Sequence, residues 1–133
     1  MLKGMIYQSK NIVEILDTGI ISDFEYRIIS YGTHPCCYVG LPENHPYFGK
    51  EYTNIDIDCH GGLTYSDAKL HADPTAQESW WIGWDYAHCG DYAGYYELDC
   101  MKDFDHSKDK KWTTEELKEE VLNVIKELLE VGK

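Results

Sequence analysis

The run Trp80-Trp81-Ile82-Gly83-Trp84-Asp85-Tyr86 places three of the chain's four tryptophans in one strand-length stretch. Successive side chains of a strand point to opposite faces, so Trp80 and Trp84 leave one side and Trp81 the other. Rings of this size are normally well removed from water. A strand here must therefore be covered twice: by the core on one side and by a helix, a loop or a partner on the other. Gly83, in the middle of the run, signals a bulge or a close approach of another backbone.

The remaining segments supply a sheet around that strand. Phe24 to Tyr31 is rich in β-branched and aromatic residues, Gly32-Thr33-His34-Pro35 interrupts it, and Cys36 to Leu41 resumes an apolar run. Together they read as a hairpin. Ser9 to Asp17 fits a short helix capped by Ser9 or Asn11, with Gly19 past its end, and fits a strand almost as well. Ile55 to His60 alternates: Ile55, Ile57 and Cys59 face one way, and Asp56, Asp58 and His60 the other. Gly61-Gly62 then offers a two-residue turn, with Leu63 to Ser66 as the returning strand. Asp73-Pro74 marks a turn within 67–77, and Pro42 to Lys50 is an aromatic loop suited to a site wall. At the end, Thr113 and Glu116 form a capping box, and Leu117, Val121, Val124, Ile125 and Leu128 recur at helical spacing. The predicted fold is α+β. A mainly antiparallel sheet of hairpin-connected strands carries a C-terminal amphipathic helix packed on it, in a single domain over 1–133.

Charge narrows the partners. The net charge is −12, and Arg27 is the only arginine. Such a chain repels phosphate backbones, so no direct nucleic-acid binding is expected unless a bound cation intervenes. A basic protein partner is favoured. No apolar run is long enough to span a bilayer, and Met1 to Met5 lacks a signal-peptide core, so neither a membrane nor secretion is expected. The five cysteines include no C-x-x-C pair. Reduced, mostly buried thiols in a cytoplasm fit best.

Four constellations could carry chemistry. Asp56, Asp58 and His60, joined by Asp85, His88 and Asp91 if the two segments pair, offer the carboxylate and imidazole donors of a divalent metal site. The same polar groups also suit hydrogen bonds to turn amides and loop ends. Cys59 and Cys89 each adjoin a histidine, but strand neighbours face opposite ways, so a buried inert thiol is the better reading. Asp103 to Asp109 begins like a calcium loop and then fails, because Lys108 stands where a glycine must turn and Thr114 where a glutamate must close the cage. The aromatic set, with Tyr47, Phe48, Trp81, Trp84 and Tyr86 foremost, suits either a partner-binding face or two-sided burial of the central strand.

The blocks Cys37 to Pro42, His45 to Lys50, His60-Gly61-Gly62-Leu63-Thr64-Tyr65 and Trp80-Trp81-Ile82-Gly83-Trp84-Asp85-Tyr86-Ala87-His88-Cys89-Gly90-Asp91 resemble those of a widespread family of small phage- and prophage-associated proteins. The resemblance covers Cys37 to Asp91, less than half the chain. It implies an accessory protein of a mobile element in a bacterial cytoplasm, and it transfers no catalytic residue. Two functional readings follow. One is an acidic protein that binds a host factor, in a counter-defence or inhibitory role. The other is a metal-assisted phosphoester hydrolase or nucleotide-binding protein built on the Asp/His cluster. A plain structural part of a virion is a third.

Overall fold

The computed structural model describes residues 13–32, 34–87 and 110–131. Five strands, β1 (Glu14–Ile21), β2 (Phe24–Ser30), β3 (Pro35–Leu41), β4 (Tyr65–Asp67) and β5 (Trp80–Asp85), form one antiparallel sheet in the order β1-β2-β3-β5-β4. A helix, α1 (Thr114–Val131), packs against it. This is the expected α+β architecture. The 9–17 segment, which fitted helix or strand, enters β1 from Glu14 onward.

Alternation along β5 divides two cores. Ile82, Trp84 and Tyr86 join Phe24, Tyr26, Ile28, Val39 and Leu41 under the apolar stripe of α1. Trp81 joins Ile29, Cys36, Tyr38 and Leu70 on the other face. Trp81 and Trp84 are 0% and 1% exposed. Each such ring removes on the order of 150–250 Å² from water, which stabilises by about 4–6 kcal/mol as an upper bound. The second core is closed by the 68–79 loop, a chain of tight turns that includes Asp73 N–H to Leu70 O and Ala76 N–H to Asp73 O, both 3.0 Å.

The lone arginine fastens that loop. Arg27 Nε donates to Asp73 Oδ2 at 3.0 Å, and its guanidinium lies 5.7 Å from the Trp81 ring centroid. The other Asp73 oxygen accepts from the Thr75 hydroxyl at 2.5 Å and the Thr75 N–H at 3.1 Å. These bonds from Thr75 and Arg27 hold the Asp73 carboxyl below its ordinary range. Removing one partner of a buried pair strands the other's charge, which costs far more than the pair contributes over an apolar substitute.

Gly83 is a point of close approach. It pairs with Tyr38 on one neighbouring strand and Tyr65 on the other. Those two rings meet edge to face over it with centroids 5.3 Å apart. A Cβ on Gly83 would stand 2.5 Å from Tyr38 Cδ1 and 3.0 Å from Cys37 O. Tyr38 has little freedom to retreat, because its hydroxyl is bonded to that of Tyr31 at 2.6 Å.

Two local features depart from expectation. The β1–β2 turn uses Ser22 (φ 51°) and Asp23 (φ 73°), a left-handed pair without the glycine that would have marked it in the sequence. Residues 55–58 alternate in burial, but among the described residues they pair with no strand. Two amides here are taken by helix carboxylates instead: Asp58 N–H donates to Glu127 Oε1 (3.2 Å) and His60 N–H to Glu120 Oε2 (2.9 Å). Ile55 and Ile57 then join the core beside α1. The following turn runs Cys59-His60-Gly61-Gly62, closed by Gly62 N–H to Cys59 O at 2.9 Å. Gly61, with φ 71°, takes the position that requires a positive φ, so His60 and Gly61 are the central pair. The returning strand, β4, pairs with β5 and not with this strap.

Two substitutions test the two-sided core. Gly83→Ala should lower unfolding free energy in urea by about 1–3 kcal/mol through overpacking. An unchanged midpoint would contradict the close approach. Arg27→Met should cost about 3 kcal/mol, because it leaves the buried Asp73 carboxylate without its cation. Since the folded-state Asp73 carboxyl lies below its ordinary 3.8, its contribution is complete above that pH and is lost as pH falls through the lowered value. Acid unfolding of Arg27→Met should therefore show a smaller loss of stability across that window than the parent.

Candidate functional site

The last residues of β5 and the first of α1 come together under the strap. Tyr86, just past the strand, is 1% exposed and accepts the Trp84 indole N–H at 3.1 Å. The Cys59–Gly62 turn lays the His60 ring flat on it, with centroids 4.5 Å apart and planes 8° from parallel. Trp112 closes the corner, 5.0 Å from His60 and 5.1 Å from Tyr86. Trp112 immediately precedes the helix cap, so cap geometry fixes its position. Glu116 N–H donates to Thr113 Oγ1 (3.2 Å) and Thr113 N–H donates to Glu116 Oε1 (3.0 Å), which is the predicted capping box.

These three rings line a cleft of about 250 Å³ with Glu116, Glu119, Glu120 and Asn123. The four helix residues recur at spacings of three and four, so they share one face of α1. Aromatic ring faces carry negative electrostatic potential, and the carboxylates add formal charge of the same sign. The arrangement is suited to a cation with apolar substituents. The chain supplies one itself: Lys110 Nζ lies 4.1 Å from the Trp112 ring centroid and 2.6 Å from Glu116 Oε2. That ammonium, with the Thr113 amide, keeps the Glu116 carboxyl below its ordinary range.

The proposed metal ligands are distributed differently. Asp56 and Asp58 are exposed on the strap, and His60 is stacked in the ring corner. Asp85 leaves the face of β5 opposite to Trp84, across from Cys36. Its carboxylate accepts from the Thr64 hydroxyl (3.1 Å) and the Ala87 N–H (3.2 Å), as a residue fixing a loop end does. No group of three or more His, Cys, Asp or Glu side chains among the described residues is arranged to hold a metal ion. His88 and Asp91 lie outside the described residues, as do Cys89 and the Asp103–Asp109 loop. The structure therefore does not bring Asp56, Asp58, His60 and Asp85 to one cation. The strand alternation that made them look alike also sends Asp85 to the far side of the sheet.

The aromatic candidates divide as well. Trp81 and Trp84 are interior residues, where the two-sided strand requires them, and are not presented to a partner in this fold. Tyr86 is also buried but forms the floor of the cleft. Tyr47 and Phe48 are half-buried on the 42–50 loop, where Phe48 lies 6.3 Å from Trp80. That loop is held by His45, whose Nε2 is 2.8 Å from Leu128 O near the end of α1 and whose Nδ1 accepts the Tyr47 N–H at 3.0 Å. His45 is thus a structural tie between loop and helix.

Sequence reasoning found His60 and Tyr86 but assigned them to separate sites. It missed Trp112, Glu119, Glu120 and Asn123. The signal was present in the spacing: Trp112, Glu116, Glu120 and Asn123 stand four, four and three residues apart. No helix among the described residues is long and apolar enough to cross a membrane. Comparison with protein-family models, with curated proteins and with solved structures returns no match for this chain.

Among the described residues, Cys36, Cys37 and Cys59 are held in the protonated, unreactive form. Burial, and then the Glu120, Asp58 and Glu127 carboxylates, push Cys59 up to about 12. Burial, and then Asp85, push Cys36 to about 12, and burial also raises Cys37. Only the thiolate attacks electrophiles, so all three are silent near neutrality. Iodoacetamide at pH 7.5 followed by peptide mapping should leave Cys36, Cys37 and Cys59 unlabelled in folded protein and labelled in urea. Rapid labelling of Cys59 in the folded chain would contradict this.

Proposed function

We propose that this protein is a small, acidic, non-enzymatic accessory protein of phage or prophage type. It acts in the bacterial cytoplasm by capturing a basic host protein, with a counter-defence or inhibitory outcome. The single observation that carries this reading is the cleft on α1, where three aromatic rings and three glutamates face one space within a chain of net charge −12. Complementary charge raises association rates and selects against acidic partners, while desolvated rings supply the binding energy that surface charge alone does not. The free thiols of Cys36, Cys37 and Cys59 accord with a reducing compartment. The phage context comes from the resemblance of the Cys37–Asp91 blocks.

The test is affinity capture. Immobilised protein should retain a defined set of basic proteins from bacterial lysate at about 50 mM salt and release most of them by about 500 mM, where exposed charges are screened within a few ångströms. The glutamate-neutralised variant Glu116→Gln/Glu119→Gln/Glu120→Gln should retain markedly less. Recovery of nothing at low salt, or recovery indifferent to both salt and the triple substitution, would overturn the reading.

A further inference from the structure

We propose that the cleft formed by His60, Tyr86, Trp112, Glu116, Glu119 and Glu120 receives the side-chain ammonium of a lysine from the basic partner, in competition with the chain's own Lys110. This rests on the proposed capture of a basic protein and specifies which group that protein presents.

Three observations favour an ammonium over a guanidinium. First, the chain itself sets an ammonium against these groups: Lys110 Nζ sits over Trp112 at 4.1 Å and reaches Glu116 at 2.6 Å. Second, the rings form a corner and not a slot. The Trp112 plane is inclined 66° to His60 and 58° to Tyr86. A compact charge on a flexible apolar stem fits a corner, whereas a planar guanidinium gains most by lying flat on an open ring face. Third, the one parallel ring pair has its facing surfaces closed, because His60 and Tyr86 stack on each other. The stem of a lysine would lie along ring edges and helix methylenes while its head meets the carboxylates, as long cationic side chains do at apolar surfaces.

The Lys110 contact gives the site an internal competitor. Lys110 is half-exposed and its ion pair with Glu116 is a surface one, which holds only weakly. A partner lysine supported by other contacts at the interface can displace it. Glu119, exposed on the cleft rim, is available to the incoming charge without dismantling the capping box made by Glu116 or the strap bond made by Glu120.

Calorimetric titration of the full chain with octalysine and octaarginine at fixed low salt tests this. Octalysine should bind more tightly than octaarginine. Trp112→Ala should weaken octalysine binding about tenfold, the scale of a desolvated cation–ring contact. Glu119→Gln, an exposed substitution that spares the fold, should weaken it severalfold. Lys110→Ala should strengthen it more than the charge-matched control Lys126→Ala does. Because Trp112 also packs on the core, circular dichroism accompanies that variant, and the Trp112 indole N–H shift in NMR of the unaltered chain reports the contact directly. Octalysine binding that is unchanged by Glu119→Gln and leaves the Trp112 indole unmoved overturns the lysine site while leaving capture of a basic partner intact. Tighter binding of octaarginine overturns the choice of ammonium. Absence of binding to either peptide overturns both readings.

Discussion

Two-sided burial of β5 is the constraint on which the rest of this structure depends. A strand carrying Trp81 on one face and Trp84 on the other cannot be completed by a single layer. The chain answers with unlike covers: an amphipathic helix on one side and a chain of turns on the other. The helix adheres by an apolar stripe. The turns present much less apolar surface and are held by Arg27, which reaches Asp73 across the Trp81 ring. One arginine in an acidic chain is thus placed where a missing positive charge would open a core.

The same constraint produces the cleft. Alternation that sends Trp84 to the helix side sends Tyr86 there too, and Tyr86 becomes the floor on which His60 stacks. The strap that carries His60 runs beside α1, where helix carboxylates accept the Asp58 and His60 amides. Acidic residues therefore have distinct duties here. Glu120 and Glu127 satisfy backbone donors, Glu116 caps the helix, and Glu119 faces the cleft. Part of the chain's negative charge is thus architecture in three dimensions.

Much of the fold was legible because period is local. The Leu117–Leu128 stripe and the Thr113/Glu116 box specify α1, and the tryptophan run specifies a central strand with a tight place at Gly83. The strap was not legible. Ile55 to His60 has the alternation of a strand, and burial against a helix imposes that period as effectively as a sheet does. What separates the two cases is where the amides bond, and that depends on Glu120 and Glu127, 60 and 69 residues from their partners. The Ser22-Asp23 turn escaped for another reason, since its positive φ values are imposed by hairpin closure on residues that do not advertise them. The four described members of the candidate metal cluster, Asp56, Asp58, His60 and Asp85, are not gathered at one point. Acids and imidazoles were grouped by type and proximity in sequence, whereas the sheet sorts them by face. Asp85 and His60 consequently part, and His60 joins rings from two other segments, Tyr86 and Trp112.

β5 and the cap of α1 bring His60, Tyr86 and Trp112 into one ring cluster, with Asp85 on the opposite side of the sheet. Side-chain nuclear Overhauser spectroscopy on the isotopically labelled full chain measures this directly. Cross-peaks are expected from the His60 ring protons to both Tyr86 and Trp112 ring protons, and from the Asp85 β-protons to Thr64 but not to His60. Cross-peaks joining His60 to Asp85, with none between His60 and Tyr86, would contradict it.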